Sequence, residues 1–170
     1  MSVVEMQNMT QYLTYKLGDG VFAFDIAKVR EVLDFTTITK VPKTPDFMRG
    51  VINLRGSVVP VVDLKLKFGM KRTEKTVNTC IIITEATVNG ETTVLGALAD
   101  SVQEVMDIES DHIEPAPTIG TQLNTAFIKG MGKQNGRFVI ILDIDKVFSI
   151  GEIALVQAGQ EKLPAEASSN

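Results

Sequence analysis

The chain has 170 residues, of which 44% are hydrophobic, and its formal net charge at pH 7 is −4. This length and composition allow a buried core, either in one domain or in two small units that share an interface. Its apolar runs are shorter than the roughly eighteen residues of a membrane-spanning helix, and the N-terminus lacks the features of a secretory signal, so we expect a cytoplasmic protein. The single cysteine, Cys80, excludes an internal disulfide.

A β-hairpin followed by a short helix is predicted at the start of the chain. Leu13–Leu17 alternates between apolar and polar side chains, a glycine-rich turn follows, and Val21–Phe24 has the pattern of the returning strand. Asp25 then stands where a helix N-cap is needed, and residues along Ile26–Leu33 share one face at helical spacing. The pattern therefore predicts a helix over Ile26–Leu33, and this helix would carry Glu31.

The segment Phe47–Phe68 is predicted to contain a second hairpin. Gly56 lies between two apolar stretches, where a hairpin turn needs a residue that tolerates positive φ. Val58–Val62 is a β-branched run of strand length. It leads into Asp63, whose carboxylate can accept hydrogen bonds from the first free amides of a short helical turn. We therefore interpret Asp63 as a structural cap and not as a catalytic acid.

A polar connection separates this segment from two further predicted strands. Met70–Val77 is polar and basic, and we interpret it as a surface link between two halves of the chain. Thr79–Thr84 and Thr92–Ala99 are stretches of strand length on either side of the Asn89–Gly90 turn. Pro115 lies in an extended crossover that follows them.

An internal repeat relates these elements to one another. Phe127–Phe148 matches Phe47–Phe68 without a gap, eighty positions further along the chain. Upstream, Val102–Val105 matches Val29–Val32 seventy-three positions away, and a loop absorbs the difference between the two spacings. We interpret the chain as two versions of one small fold, in which the shared residues form the scaffold. The identical pairs in the two blocks are Phe47/Phe127, Gly50/Gly130, Gly56/Gly136, Val59/Val139, Asp63/Asp143 and Phe68/Phe148.

Charge is distributed unevenly along the chain. Between Lys40 and Lys75 there are nine basic and three acidic residues, a local balance of +6. Between Thr76 and Ile128 there are eight acidic residues and no lysine or arginine, a local balance of −8. Two interpretations stay open here: unevenly solvated faces, or a head-to-tail partner surface on which opposite charges steer docking. The acidity of the whole chain disfavours nucleic-acid binding.

Residues that could support catalysis or bind a metal are scarce. His112 is the only histidine and has no second histidine or cysteine at ligand spacing, so we interpret it as a surface or loop residue. Cys80 lies in an apolar run with no histidine near it in the sequence, which indicates a buried or groove-lining role. The short glycine motifs lack the third glycine of a dinucleotide-binding fingerprint. We therefore expect no enzyme activity, no metal and no cofactor.

Several motifs together resemble one known family. Their residues closely resemble the signature of CheW, the coupling protein of bacterial chemotaxis, and they extend over about Gln11–Phe148, which is most of the chain. The longest matching stretch, Gly50–Leu64, reads GVINLRGSVVPVVDL. The other motifs are Phe24-x-Ile26-x-x-Val29-x-Glu31-Val32, Gly96-x-x-x-Asp100-x-Val102-x-Glu104-Val105, Ile113-x-Pro115-x-Pro117 and Phe127-Ile128-x-Gly130 followed by Asn135-Gly136-Arg137.

The resemblance implies a fold and a role. The fold is mainly β, with two SH3-like five-stranded β-barrels packed around a shared core, and with short helices. Residues 11–157 would form a single CheW-like domain of two intertwined barrels, with flexible termini at residues 1–10 and 158–170. Proteins similar to CheW are cytoplasmic adaptors without catalysis that are recruited to membrane receptor arrays. Their partners are the cytoplasmic tip of methyl-accepting chemotaxis receptors and the regulatory domain of the histidine kinase CheA.

The resemblance also implies a receptor-binding groove between the two barrels. Such a groove receives apolar residues of a helix and fixes them with a few polar groups. We expect Glu31 and Arg55 to form an ion pair across its wall. The residues that would line or support the groove are Val29, Glu31, Arg55, Cys80 and Val105.

Two further sets of residues take roles from the same resemblance. The crossover from Glu114 to Ile119 is a candidate for the interface with the kinase. Glycines at the turns are expected because the backbone requires them there. These structural glycines are Gly50, Gly56, Gly130 and Gly136.

Other functions stay open on the sequence alone. A CheW-like adaptor could serve another output, such as surface motility or gene regulation, and only its genomic neighbours or its partners would distinguish that case. A tandem SH3-like module that binds nucleic acid would need basic loops with exposed aromatic residues, which the acidic second half argues against. A small-molecule sensor would need an enclosed polar pocket, whereas these strands are rich in valine and isoleucine.

Overall fold

The computed structural model of the chain describes residues 9–88, 90–115, 125–134 and 136–147, and this part is mainly β-structure. The two short α-helices are α1, Leu64–Lys67, and α2, Ile144–Val147. Short 3₁₀ turns cover Ile26–Lys28, Ser110–His112 and Thr125–Phe127. The strands are β1 Met9–Leu17, β2 Gly20–Asp25, β3 Val29–Asp34, β4 Met48–Leu54, β5 Ser57–Asp63, β6 Cys80–Val88, β7 Glu91–Ala99, β8 Ser101–Glu109, β9 Ile128–Gln134 and β10 Arg137–Leu142.

The predicted hairpins are present, and the segments expected to be flexible at the two ends are only partly described. Met9 and Thr10, which the sequence placed in a flexible terminus, belong to β1. The turns at Gly56 and Gly136 have φ angles of +89° and +80°, so both hairpins use the left-handed conformation that the sequence predicted. Phe148, Asn89 and the C-terminal tail lie outside the described residues.

The predicted helix over Ile26–Leu33 is wrong beyond its first turn. Asp25 does act as a cap, because its carboxylate accepts a hydrogen bond from the Ala27 amide at 2.9 Å. The 3₁₀ turn ends at Lys28, however, and β3 continues from Val29 with side chains alternately half-buried and exposed. A short helix is marginal in water, whereas a strand rich in β-branched residues is stabilised by pairing with β6. Glu31 therefore lies on a strand.

The ten strands form two five-stranded sheets, which confirms the predicted fold class. The first sheet has the order β8-β1-β2-β10-β9, and the second has the order β3-β6-β7-β5-β4. Replacing every strand of one sequence copy by its counterpart in the other copy converts the first order into the second. The register agrees, since Ile141 pairs with Ala23 and Val61 pairs with Gly96. Ile141 lies eighty positions after Val61, and Gly96 lies seventy-three positions after Ala23, which are the two spacings of the sequence repeat.

Each sequence copy therefore contributes to both sheets. The hairpin β1–β2 belongs to the first copy but completes the sheet of β8, β9 and β10, and the hairpin β6–β7 completes the sheet of β3, β4 and β5. We call this arrangement the exchanged pairing. The connection between copies, Met70–Val77, has no helix or strand and is largely exposed, as expected, although Thr73 within it is buried.

The main hydrophobic core lies between the two sheets and takes residues from both. Tyr15 and Phe22 come from the first sheet, and Ile82 and Leu95 come from the second; all four side chains are at most 2% exposed. The ring of Phe22 lies 6.2 Å from that of Phe68, centroid to centroid, so the first block also packs into this core. Burial of so much apolar surface in a shared core stabilises one fixed arrangement of the sheets.

Gly50 and Gly130 were expected at turns, and this was wrong: they lie within β4 and β9, where glycine is needed for a steric reason. Gly50 has a φ of +142°, and a Cβ atom there would lie 2.1 Å from the carbonyl oxygen of Thr39. A Cβ atom on Gly130 would lie 2.2 Å from Cγ2 of Ile113 and 3.0 Å from the carbonyl oxygen of Glu114. In both copies a neighbouring loop therefore lies against the strand where a side chain would otherwise stand.

Candidate partner-binding site

Glu31 and Arg55 form the ion pair that the sequence predicted. Nη1 of Arg55 donates a hydrogen bond to Oε1 of Glu31 at 3.2 Å, and Nη2 of Arg55 contacts Oε2 of the same carboxylate. This two-point contact holds both planar groups in one orientation. The side chain of Arg55 is 69% exposed and that of Glu31 is 30% exposed, so the pair lies at the surface and remains open to a partner.

The β4–β5 turn fixes the backbone position of Arg55. Arg55 has a φ of +49°, a left-handed conformation that non-glycine residues rarely adopt. The side chain of Asn53 accepts a hydrogen bond from the Gly56 amide at 2.8 Å and closes the turn around Arg55. Glu31 is placed by β3, where it stands opposite Ile83 of β6. A tight turn and an edge strand of the same sheet thus bring the two charges together.

Pairing shifts the protonation equilibria of both groups. The hydrogen bond from Arg55 lowers the pKa of Glu31 below its ordinary value of 4.5, helped by the positive charges of Arg55 and Arg30 and opposed by partial desolvation. The same hydrogen bond and the charge of Glu31 raise the pKa of Arg55. Both groups are therefore charged at neutral pH.

A concave surface lies beside Arg55. The cleft has a volume of about 490 Å³, and its floor and walls come from the β4–β5 hairpin, β7 and Arg30. Arg30 itself is held by an ion pair between its Nε and Glu85. Two arginines, hydroxyl side chains and apolar strand residues together suit a partner that has both apolar and hydrogen-bonding groups. The lining residues are Arg30, Leu54, Arg55, Ser57, Val58, Val59, Thr92, Thr93 and Val94.

Val29 and Cys80 are associated with the main hydrophobic core. Val29 is half-buried and packs against the main core, and Cys80 is 6% exposed within that core. Burial raises the pKa of the Cys80 thiol, opposed by a hydrogen bond from the backbone of Val102, so the thiol stays protonated at neutral pH. Of the two roles expected for Cys80, the geometry fits support of the site and not direct contact with a partner.

Val105 belongs to the other sheet. It lies on β8, pairs with Leu13 of β1 and is 48% exposed. Its counterpart in the first copy, Val32, is 42% exposed on β3, directly after Glu31. The sequence did not single out Val32, although its position in the repeated Val-x-Glu-Val motif is the signal that identifies it. Both valines offer apolar surface on edge strands, one in each sheet.

The candidate kinase interface is described only at its start. Glu114 is exposed, and its backbone forms an isolated bridge with Met131, with N–O distances of 2.9 Å and 2.8 Å. The Glu114 side chain is thus held next to β9 while facing solvent. Ile119 lies outside the described residues.

A second cleft gathers part of the basic stretch noted in the sequence. It has a volume of about 700 Å³, and Lys40, Lys43, Arg49 and Arg72 line it together with Asp46 and apolar residues that include Val41 and Leu66. Sequence reasoning identified the excess of positive charge but not the cleft, because the loop before β4 and the connection after α1 meet only in the folded chain.

The described residues also bear on catalysis and membrane insertion. His112 is exposed and lies 3.7 Å from Glu109, as expected for a surface histidine. Within the described ranges, no cluster of three or more His, Cys, Asp or Glu side chains is arranged to hold a metal ion. The described helices include none with the length and hydropathy needed to cross a membrane.

Comparison with known proteins gives consistent matches over most of the chain. The family model described as "CheW-like domain" matches residues 11–152. The chemotaxis protein CheW of Klebsiella aerogenes is 36% identical over 146 residues, which cover 86% of this chain and 86% of that protein. The chemotaxis protein CheW of Rhizobium meliloti is 33% identical over 138 residues, which cover 81% of this chain and 86% of that protein.

A solved structure has the same fold. The scaffolding protein TtCheW from Thermoanaerobacter tengcongensis superposes with a TM-score of 0.74 at 35% sequence identity. The superposition covers 84% of this chain and 90% of that one. The chain is thus similar to CheW proteins in both sequence and fold.

Proposed function

The chain belongs to the CheW-like family, and we propose that it is a non-catalytic scaffold coupling methyl-accepting chemotaxis receptors to a CheA-type histidine kinase. The observation that carries this proposal is the match of residues 11–152 to the CheW-like domain, together with the similarity to relatives named as chemotaxis proteins and to a CheW scaffolding structure. The relatives compared above favour chemotaxis over the nucleic-acid and sensor alternatives.

A scaffold of this kind works by fixing geometry. The shared core and the exchanged pairing hold the two sheets in one arrangement, so surfaces on different sheets keep a constant separation. A receptor bound at one surface then biases the kinase bound at another, because each partner favours one conformational state of the complex. Individual contacts need not be tight, since repeated linkage in an array raises the effective concentration of every partner. The protein would reach the membrane through the receptors.

The receptor site that we propose is centred on Glu31 and Arg55. Their pair is exposed, oriented at two points and next to a cleft, while the half-buried Val29 and the buried Cys80 support the strands beneath it. Val105 would add apolar contact from the second sheet. A helical tip with apolar and hydrogen-bonding residues fits such a surface.

The kinase site that we propose includes the exposed Glu114 and the following crossover to Ile119. Glu114 is the last acid of the strongly acidic stretch between Thr76 and Ile128. A field of one sign around this segment would steer a partner domain that carries the opposite sign.

The test of the proposed function is whether one molecule binds both partners together. Isothermal titration with a CheA regulatory domain and, separately, with a receptor signalling fragment should give saturable binding. Size-exclusion chromatography of all three should then give a ternary complex. Binding of neither partner, or mutually exclusive binding of the two, would contradict the coupling role.

A further inference from the structure

Two ion pairs connect the sequence copies at matching places in the fold. Nζ of Lys65, on α1, lies 3.1 Å from Oδ2 of Asp100, which follows β7. Nζ of Lys28, which precedes β3, lies 3.1 Å from Oδ2 of Asp145, on α2. Each pair joins the helix of one copy to the end of the hairpin that comes from the other copy.

The two pairs occupy equivalent positions but carry opposite charges. Lys65 and Asp145 are eighty residues apart, so they are the same position of the two repeated blocks. Val102 is the counterpart of Val29 in the repeat. Lys28 lies one residue before Val29 and Asp100 lies two residues before Val102, so both lie where the hairpin of their copy leads into the next strand. In the first pair, helix α1 carries the cation, Lys65, and the position directly after β7 carries the anion, Asp100. In the second pair, helix α2 carries the anion, Asp145, and the 3₁₀ turn after β2 carries the cation, Lys28.

This reversal matters because the hairpins have an alternative location. In an unexchanged pairing, hairpin β1–β2 would complete the sheet of β3, β4 and β5, which come from its own copy. Ala23 would then pair with Val61 and would no longer pair with Ile141. Lys28 would then lie next to Lys65, and Asp100 next to Asp145. We infer that these two reversed ion pairs are specificity determinants that select the exchanged pairing by placing like charges together in the alternative.

The surroundings of the two aspartates hold their carboxylates in place and limit solvent screening of the ion pairs. Oδ2 of Asp100 also accepts a hydrogen bond from the Gly18 amide in the β1–β2 turn at 2.6 Å. Oδ1 of Asp145 also accepts one from the Thr87 amide near the end of β6 at 2.7 Å. The side chains of Lys65 and Asp100 are only 14% and 29% exposed, so solvent screens this pair less than a fully exposed one. Asp100 thus holds the β1–β2 turn and pairs with Lys65 of α1, whereas Asp145, on α2, holds the end of β6 and pairs with Lys28.

The chain offers a matched pair of double variants for the test. Lys65→Asp with Asp145→Lys places like charges together in both observed contacts and opposite charges together in the unexchanged pairing. Lys28→Asp with Asp145→Lys reverses one contact and keeps opposite charges in both. The two variants have identical composition, and each loses the same backbone acceptor at Asp145. They differ in the pattern of charges and in the exposure of the substituted lysine, which is 14% for Lys65 and 37% for Lys28; the salt dependence of the difference in stability isolates the contribution of charge.

Urea denaturation and NMR distinguish the outcomes. We expect the folding equilibrium constant of the first variant to be on the order of tenfold below that of the second, with a gap that narrows in high salt. After refolding, the first variant should show nuclear Overhauser contacts between Ala23 and Val61, which the second variant and the wild type should lack. Reversing all four charges should restore the contact between Ala23 and Ile141 alone.

Equal folding constants for the two double variants would overturn the inference. It would also be overturned if the refolded first variant showed only the contact between Ala23 and Ile141. Receptor or kinase binding plays no part in either measurement, so the outcome is independent of the proposed function.

Discussion

The two repeated blocks use the same aspartate cap in different surroundings. Asp63 caps α1 through the amides of Lys65 and Leu66, and its carboxylate is fully buried. It also pairs with Arg49 at 3.1 Å and accepts hydrogen bonds from the amide and the hydroxyl of Thr73. This network ties the connection between the copies to the first block.

In the second block the equivalent aspartate is more exposed and, among the described residues, has fewer partners. Asp143 accepts a hydrogen bond from the Asp145 amide at 3.1 Å, its side chain is 28% exposed, and its distance to Lys146 is 3.9 Å. The cap predicted at Asp63 is confirmed, and its repeat partner Asp143 caps α2. A residue shared by the copies is therefore scaffold in each, while in the first copy it also connects the block to Thr73 in the link between the copies.

Substitution of the shared glycines should give the largest difference between the blocks. In Gly50→Ala the new Cβ would meet the Thr39 carbonyl at 2.1 Å, with the backbone at a φ of +142°. Strain and overpacking together should lower the free energy of unfolding by about 5 kcal/mol. Gly130→Ala presses mainly on the Ile113 side chain and should cost about 1–3 kcal/mol. Urea denaturation measures both, and equal losses would contradict the steric account.

Removal of the capping aspartates should give the next largest difference. Asp63→Ala leaves Arg49 without a carboxylate partner, although it keeps its hydrogen bond to the Thr73 carbonyl, in a site where the arginine side chain is only 13% exposed. The free energy of unfolding should therefore fall by about 3 kcal/mol. Asp143→Ala removes a partly exposed cap and should cost about 1 kcal/mol. Thermal and urea denaturation of the two variants should therefore rank Asp63→Ala as the less stable. The reverse ranking would show that the buried network contributes little.

The smallest predicted effect concerns the pH dependence of the Glu31–Arg55 pair. The pKa of Glu31 is lower in the folded state than its ordinary 4.5, so the stabilisation is present above that pH and is lost as the pH falls through the folded pKa. An NMR titration should place the Glu31 midpoint below 4.5. In Arg55→Ala the midpoint should rise, because the principal cause of the shift is gone. An unchanged midpoint in this variant would show that the pair does not persist in solution.

Much of the local structure follows from the sequence. The glycines at the turns, the β-branched runs and the two aspartate caps were predictable, because each depends on residues close together in the chain. The helix over Ile26–Leu33 was wrong, since pairing of β3 with β6 depends on residues about fifty positions away. The resemblance to CheW implied intertwined units. Local pattern alone could not assign each hairpin to a sheet, because the two copies offer equivalent positions.

The candidate site was predictable in part for the same reason. The pairing of Glu31 with Arg55 followed from the resemblance and is confirmed in the structure. The clefts beside Arg55 and around Lys40 were not predictable, because segments distant in sequence line them. The role of these residues in binding stays a prediction.

The most direct test of the account compares an arginine found only in the first block with one found only in the second. Arg55 has no counterpart in the second block, and Arg137, next to the turn glycine there, is an exposed arginine on β10. Isothermal titration should measure binding of a receptor signalling fragment to Arg55→Ala, Glu31→Ala and the control Arg137→Ala. We expect a loss of affinity of roughly tenfold or more for the first two variants and near wild-type affinity for the control. Unchanged affinity in both Arg55→Ala and Glu31→Ala, or an equal loss in Arg137→Ala, would contradict it.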